Sequence, residues 1–209
     1  MMPSKVEDPR SRTFAGSGVF AMVRRSAYER SPGLPWLKME IADDMTFGQM
    51  MKRSGARCCV MNARGMVELA FYDTLGEMMR GVAKGSLSLF DFSYVRLLIS
   101  ITVLLFLELS PWIALLPVGA TWLRVAGAIM VVFAVGSAGV INRALGRKMW
   151  PSLLTPIGAV LLAVFMLRGG VLAWRRGGVV WRGTVYPLDA IKAGARYVPP
   201  WNVPPWKPW

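Results

Sequence analysis

Histidine is absent from the 209 residues. That excludes Ser-His-Asp and Cys-His catalysis and any His-ligated metal site. Cysteine occurs only as the adjacent pair Cys58 and Cys59. Neighbouring cysteines rarely bridge to each other, so a disulfide framework and a Cys-rich zinc module are both excluded. Acidic residues are scarce, 12 against 25 Lys and Arg, for a net charge of +13. No Asp-x-Asp and no Walker A pattern occurs. The opening, Met1 to Arg12, is polar, carries Pro3 and Pro9, and lacks the apolar stretch of a signal peptide. No repeat at a solenoid period is visible.

What the chain has in excess is apolar sequence. Hydrophobic residues make up 54% and charged residues 18%, against roughly 45–50% and about 25% in soluble domains. The character changes near Tyr94. Beyond it the only acidic residues are Glu108 and Asp189. Residues 1–94 therefore read as a water-soluble piece with nearly balanced charge. Residues 95–174 hold three long apolar runs, placed near 96–117, 120–141 and 152–173. A spanning helix needs about 20 mostly apolar residues, so each run is a candidate transmembrane helix. Residues 175–209 form a basic tail rich in Pro and Trp. Its end, with Pro199-Pro200-Trp201 and Pro204-Pro205-Trp206, reads as extended or polyproline-like, its tryptophans suited to a membrane interface.

The positive-inside rule places Arg143, Arg147 and Lys148, and with them residues 1–94, in the cytoplasm of a multi-pass plasma (inner) membrane protein. A third full crossing then sends Arg175, Arg176 and Arg182 outside, against the same rule. Either the third run re-enters or the rule fails at this end. Pro156 and the Gly169-Gly170 pair are places where a helix could break. Glu108, one turn before Pro111, is the one acidic residue in the apolar region. It reads equally as a packed or snorkelling side chain and as a functional one. A small transporter subunit would rest on Glu108 alone and lacks paired intramembrane charges. The Lys and Arg residues are scattered rather than clustered, and much of the excess flanks apolar runs. Attraction to anionic lipid explains them, and nucleic-acid binding is not expected.

In the soluble piece, residues 18–24, 57–61 and 66–70 carry strand-like sequence, the last two joined around Asn62 to Gly65. Residues 43–54 read as a helix, acidic at its start, closed by Lys52 and Arg53 and followed by Gly55 as a C-cap. Residues 74–90 are amphipathic and read equally as an interfacial helix and as a surface helix packed on its own domain. Gly16-Ser-Gly18-Val-Phe-Ala21 mimics a dinucleotide fingerprint, but an apolar strand-like run follows it where that motif needs a helix. The pair Asp43 and Asp44, with Glu40 upstream, is the chief chemical feature. By itself a carboxylate at a helix start is commonly an N-cap.

Three longer stretches carry a resemblance. They are Gly16-Ser-Gly18-Val-Phe-Ala-Met-Val-Arg24-Arg25-Ser-Ala-Tyr28, then Trp36 through Glu40, Asp43 and Asp44 to Gly55, and then Phe71-Tyr72 through Glu77 to Gly81. With the apolar runs that follow, and with Trp181-Arg182-Gly183-Thr-Val-Tyr186, they resemble the C-terminal part of bacterial membrane-bound family 2 glycosyltransferases. The resemblance covers about Thr13 to Leu188. It implies an incomplete GT-A-like α/β unit over residues 1–94, followed by a three-segment helical membrane region. The implied chemistry is inverting transfer of a sugar from a nucleotide-sugar donor to a membrane lipid or similar acceptor. On this sequence Asp44 would be the general base, taking the acceptor hydroxyl proton, with Asp43 in the preceding acidic position. Trp181, Arg182, Glu40 and Trp36 would be the weaker substrate- or diphosphate-side candidates. The family's Gln/Arg-x-x-Arg-Trp closing motif is not matched.

The resemblance also implies a divalent metal, Mg²⁺ or Mn²⁺, held by an Asp-x-Asp that this chain lacks. The family's donor-binding half would precede residue 13. The chain is therefore expected to be the acceptor-side and membrane portion, inactive alone, its donor half truncated away or separately encoded. The different-class alternative is a non-catalytic membrane scaffold or regulatory subunit acting through residues 1–94.

Overall fold

The computed structural model describes residues 3–63, 65–67, 69–181 and 183–198. Their elements, in chain order, are α1 (Pro3–Glu7), α2 (Arg25–Glu29), α3 (Asp43–Arg53), α4 (Leu75–Gly85), α5 (Tyr94–Ala114), α6 (Thr121–Ala144), α7 (Thr155–Arg176), β1 (Gly178–Trp181), β2 (Thr184–Pro187) and α8 (Leu188–Gly194). Short 3₁₀ turns stand at Leu34–Leu37, Ser88–Phe90 and Trp150–Leu154. The protein is thus mostly helical with one small hairpin. Three apolar helices, Tyr94–Ala114, Thr121–Ala144 and Trp150–Arg176, are long enough to cross a membrane.

The strands expected over residues 18–24, 57–61 and 66–70 are not formed among the described residues. The only strands there are β1 and β2. A strand exists only where a neighbouring strand takes its N–H and C=O groups, and the described residues of these three segments pair with no other strand. Residues 178–187 supply their own partner. β1 and β2 pair antiparallel from Gly178↔Pro187 to Trp181↔Thr184, and Gly183 turns the chain with φ +83°, a conformation that suits glycine. The hairpin and α8 occupy the first part of the basic tail, ahead of the end expected to be extended. Arg182, Arg64 and the Pro/Trp segment 199–209 lie outside the described residues.

The chain forms two compact units. One comprises residues 1–71 and 177–209, the other residues 72–176. In the first, α3 is the organising element. Its acidic start and basic end match the helix dipole, and Gly55 at φ +77° ends it. Met50 and Met51 are buried, as are Val6, Phe14, Leu37, Val179 and Ile191 in the rest of this unit. Lys52 is also buried, and its ammonium donates to the carbonyls of Val6 and Asp8. The buried charge is thereby hydrogen-bonded, without which its burial would be costly.

In the second unit, Thr74 caps α4 by accepting from the Glu77 N–H at 3.2 Å, while Glu77 accepts from the Asp73 N–H at 3.1 Å. This is a near-relative of the capping box. α4 packs on α7. At Gly169 an added Cβ would collide with Ser86 Oγ and stand 2.5 Å from the Ala83 carbonyl oxygen, so glycine sets the closeness of that approach. Leu75 and Met78 nevertheless remain exposed. α4 is thus packed at one end and keeps apolar surface free at the other.

Candidate functional site

Asp43 and Asp44 occupy the first turn of α3, where the helix dipole favours negative charge. Neither is the N-cap. That position is Ala42, and no side chain caps it. Asp43 is exposed and Asp44 half-buried. Asp44 Oδ1 accepts from the Met45 N–H at 2.7 Å, and its Oδ2 faces the segment Gly16 to Gly18. A Cβ on Gly18 would stand 3.2 Å from Oδ2, and one on Gly16 would collide with the Asp44 carbonyl. From the other side, a Cβ on Gly48 would collide with the Ala15 carbonyl. The glycines that mimic a nucleotide fingerprint therefore let residues 15–18 lie against the first half of α3. Among the described residues no cation forms an ion pair with Asp44; the pairs present are Arg25–Glu29 and Arg96–Asp91.

Glu40 and Trp36 come together around the segment that follows α8. Glu40 Oε2 accepts from the Arg196 N–H at 2.6 Å and the Tyr197 N–H at 2.9 Å. The Arg196 guanidinium lies over the Trp36 ring, 6.0 Å from its centroid, within the range of a cation–π contact. Tyr197 packs edge-on against Phe14 at 6.1 Å between centroids. Burial raises the Tyr197 hydroxyl above its ordinary pKa, and the Glu40 carboxylate adds to the rise. Trp181 is elsewhere in the same unit, on β1, partly exposed and 6.2 Å from the Tyr186 ring.

Sequence reasoning missed Gln49. It is fully buried, and its side-chain amide donates to the Val198 carbonyl at 2.7 Å and accepts from the Val198 N–H at 3.1 Å. The available signal was a polar residue three positions from Thr46 and next to Met50, on the buried stripe of α3. Cys58 is half-buried, and burial raises its thiol pKa, with Lys52 opposing and Cys59 adding to the shift. Cys59 is exposed.

Among the described residues no group of three His, Cys, Asp or Glu side chains is placed to hold a metal ion. The divalent metal implied by the resemblance therefore has no cluster of three such side chains to hold it among the described residues, at Asp44 or elsewhere. No family model, curated protein or solved structure matches the chain.

Proposed function

We propose that the chain is the acceptor-side and membrane portion of an inverting glycosyltransferase of the membrane-bound family 2 type, with Asp44 as general base. The acceptor hydroxyl gives its proton to Asp44 as its oxygen attacks the anomeric carbon of the donor. The bond from that carbon to the nucleoside diphosphate breaks, and the diphosphate leaves with the electron pair. The observation that carries this reading is the state of Asp44. It is half-exposed at a helix N-terminus, with one carboxylate oxygen toward the glycine segment 16–18 and, among the described residues, no cation paired to it. A base needs that reach and freedom. Three helices able to span a bilayer suit a lipid-borne acceptor. Trp36 and Arg196 offer a stacking face and a cation beside Glu40, the side-chain types that hold a sugar ring and a phosphate.

No step is assigned to a metal: among the described residues no group of three His, Cys, Asp or Glu side chains is placed to hold one. Donor binding falls to an α/β body carrying the Asp-x-Asp, on the same polypeptide or a separate one. The apolar side chains Phe20, Met22, Met61, Met66, Leu69 and Phe71, all exposed in irregular segments, supply a surface for that body. The same exposed segments favour the second reading, a non-catalytic membrane scaffold that binds a partner there.

The test is transfer of radiolabelled sugar from nucleotide donors to extracted membrane lipid, in proteoliposomes. The expected result is no transfer by the 209-residue chain alone and transfer when a donor-binding body is co-reconstituted. Partner binding with no transfer under any donor would favour the scaffold.

A further inference from the structure

Both flanks of the membrane region enter one folded unit. Residues 3–71 precede all three apolar helices and residues 177–198 follow them. Yet Glu40 holds the amides of Arg196 and Tyr197, Gln49 holds Val198, and Phe14 packs on Tyr197. A bilayer separates its aqueous faces by a hydrocarbon core about 30 Å thick. Segments on opposite faces cannot share hydrogen bonds of 2.6–3.1 Å. The number of full crossings between them is therefore even, although three helices are long enough to cross.

The contacts inside the second unit identify which helix does not cross. A Cβ on Gly170, late in α7, would stand 2.8 Å from Leu97, early in α5. The buried stripe Ala159, Ala163, Met166, Gly170 and Ala173 runs the length of α7, and among the described elements α7 packs chiefly on α5, α4 and the turn before it. α5 and α7 are thus antiparallel. α6 begins beside the end of α5, where a Cβ on Gly127 would be 2.8 Å from the Pro111 carbonyl oxygen and 2.9 Å from Ala114. It ends beside the turn that leads into α7. There Asn142 Nδ2 donates to Ser152 Oγ at 3.0 Å, and Met149 lies 3.1 Å from a Cβ on Gly139. Both ends of α6 stand at one end of the α5–α7 pair.

We propose that α5 and α7 cross the membrane as an antiparallel pair, that α6 does not cross but is embedded in the leaflet opposite the two flanks, and that residues 3–71 and 177–198 share one side. A helix satisfies its own backbone polar groups, so α6 can lie in hydrocarbon at any tilt. Its exposed Trp122, Val125, Ile129, Val132, Phe133 and Val140 meet acyl chains. Arg124 at its start and Arg143, Arg147 and Lys148 at its end reach the same headgroup layer. Arg175 and Arg176 then lie on the same side as Arg80, Lys84 and Arg96, which removes the conflict at the third apolar run. Arg143, Arg147 and Lys148 become the departure from the positive-inside rule.

The test is labelling of single cysteines by a membrane-impermeant maleimide in sealed vesicles of known orientation. The full chain carries Cys58→Ser and Cys59→Ser, with one reporter each at Arg30→Cys, Val118→Cys, Arg147→Cys or Lys192→Cys, all exposed positions. Native Cys59, also exposed, reports the N-terminal flank without any substitution. The expected result is that 30, 59 and 192 label from one side and 118 and 147 from the other. Labelling of 30 and 192 from opposite sides would overturn the even count. Labelling of 118 and 147 from opposite sides would overturn the assignment of α6.

Discussion

Gln49 and Val198, 149 residues apart, bind each other as two strand residues would: the side-chain amide of one takes both backbone groups of the other, at 2.7 and 3.1 Å. With Glu40 on Arg196 and Tyr197, this fastens the segment after α8 to α3. The Val198 groups are part-buried, and each such hydrogen bond contributes about 0.5–1.5 kcal/mol. Gln49→Ala should therefore destabilise the first unit by about 1–3 kcal/mol in denaturant titration of the detergent-solubilised protein. Glu40→Ala should cost about 1–3 kcal/mol. Because both residues hold one segment, the double variant should lose less than the sum, by about 0.5–3 kcal/mol. Strict additivity would mean that the two clamps act independently.

Gly169 is where α7 admits α4, whereas nothing lies within 4 Å of a Cβ on Gly158 in the same helix. Overpacking a close approach costs about 1–3 kcal/mol. Replacing an unhindered helical glycine by alanine gains up to about 1 kcal/mol. Gly169→Ala should lower the unfolding midpoint in detergent, and Gly158→Ala should leave it unchanged or raise it. Equal effects at the two positions would contradict the packing of α4 on α7.

Tyr197 sets a pH limit. Its folded pKa lies above the ordinary value of 10.0. Above about pH 10 the unfolded chain gives up this proton while the folded chain keeps it. The folded state then binds more protons, so its stability falls as pH rises. Below that pH the group contributes no slope. Tyr197→Phe keeps the ring against Phe14 and should flatten the decline above pH 10, as read by stability at each pH. An unchanged decline would assign it to other groups.

The two cysteines should differ in reactivity. Cys58 is half-buried with a raised thiol pKa, while Cys59 is exposed. The thiolate is the nucleophile. Iodoacetamide at pH 7.5 followed by peptide mass spectrometry should find Cys59 alkylated first. Preferential labelling of Cys58 would contradict its burial.

Elements fixed by local chemistry were legible in the sequence. An acidic start, a basic end and a following glycine marked α3, and long apolar runs with few charges marked the three helices able to span a membrane. Elements that depend on a neighbour were not. Residues 18–24 and 57–61 have strand-like composition, but composition supplies no partner. Residues 178–187 form a hairpin because a turn at Gly183 brings their own partner back. In the candidate site, Asp43 and Asp44 could be found from their place ahead of an apolar stripe. The bond from Gln49 to Val198 could not, since a side chain's reach across the whole membrane region leaves no local signature. Nor could the grouping of residues 1–71 with 177–209, which bears directly on orientation.

The most direct test of the glycosyltransferase reading is sugar transfer to membrane lipid by the reconstituted complex, wild type against Asp44→Asn. Asparagine keeps the shape and removes the base. The account predicts a fall in turnover of about 10²–10⁴-fold, the usual contribution of a positioned general base, with KM for the donor little changed. Transfer at the wild-type rate by Asp44→Asn would contradict it.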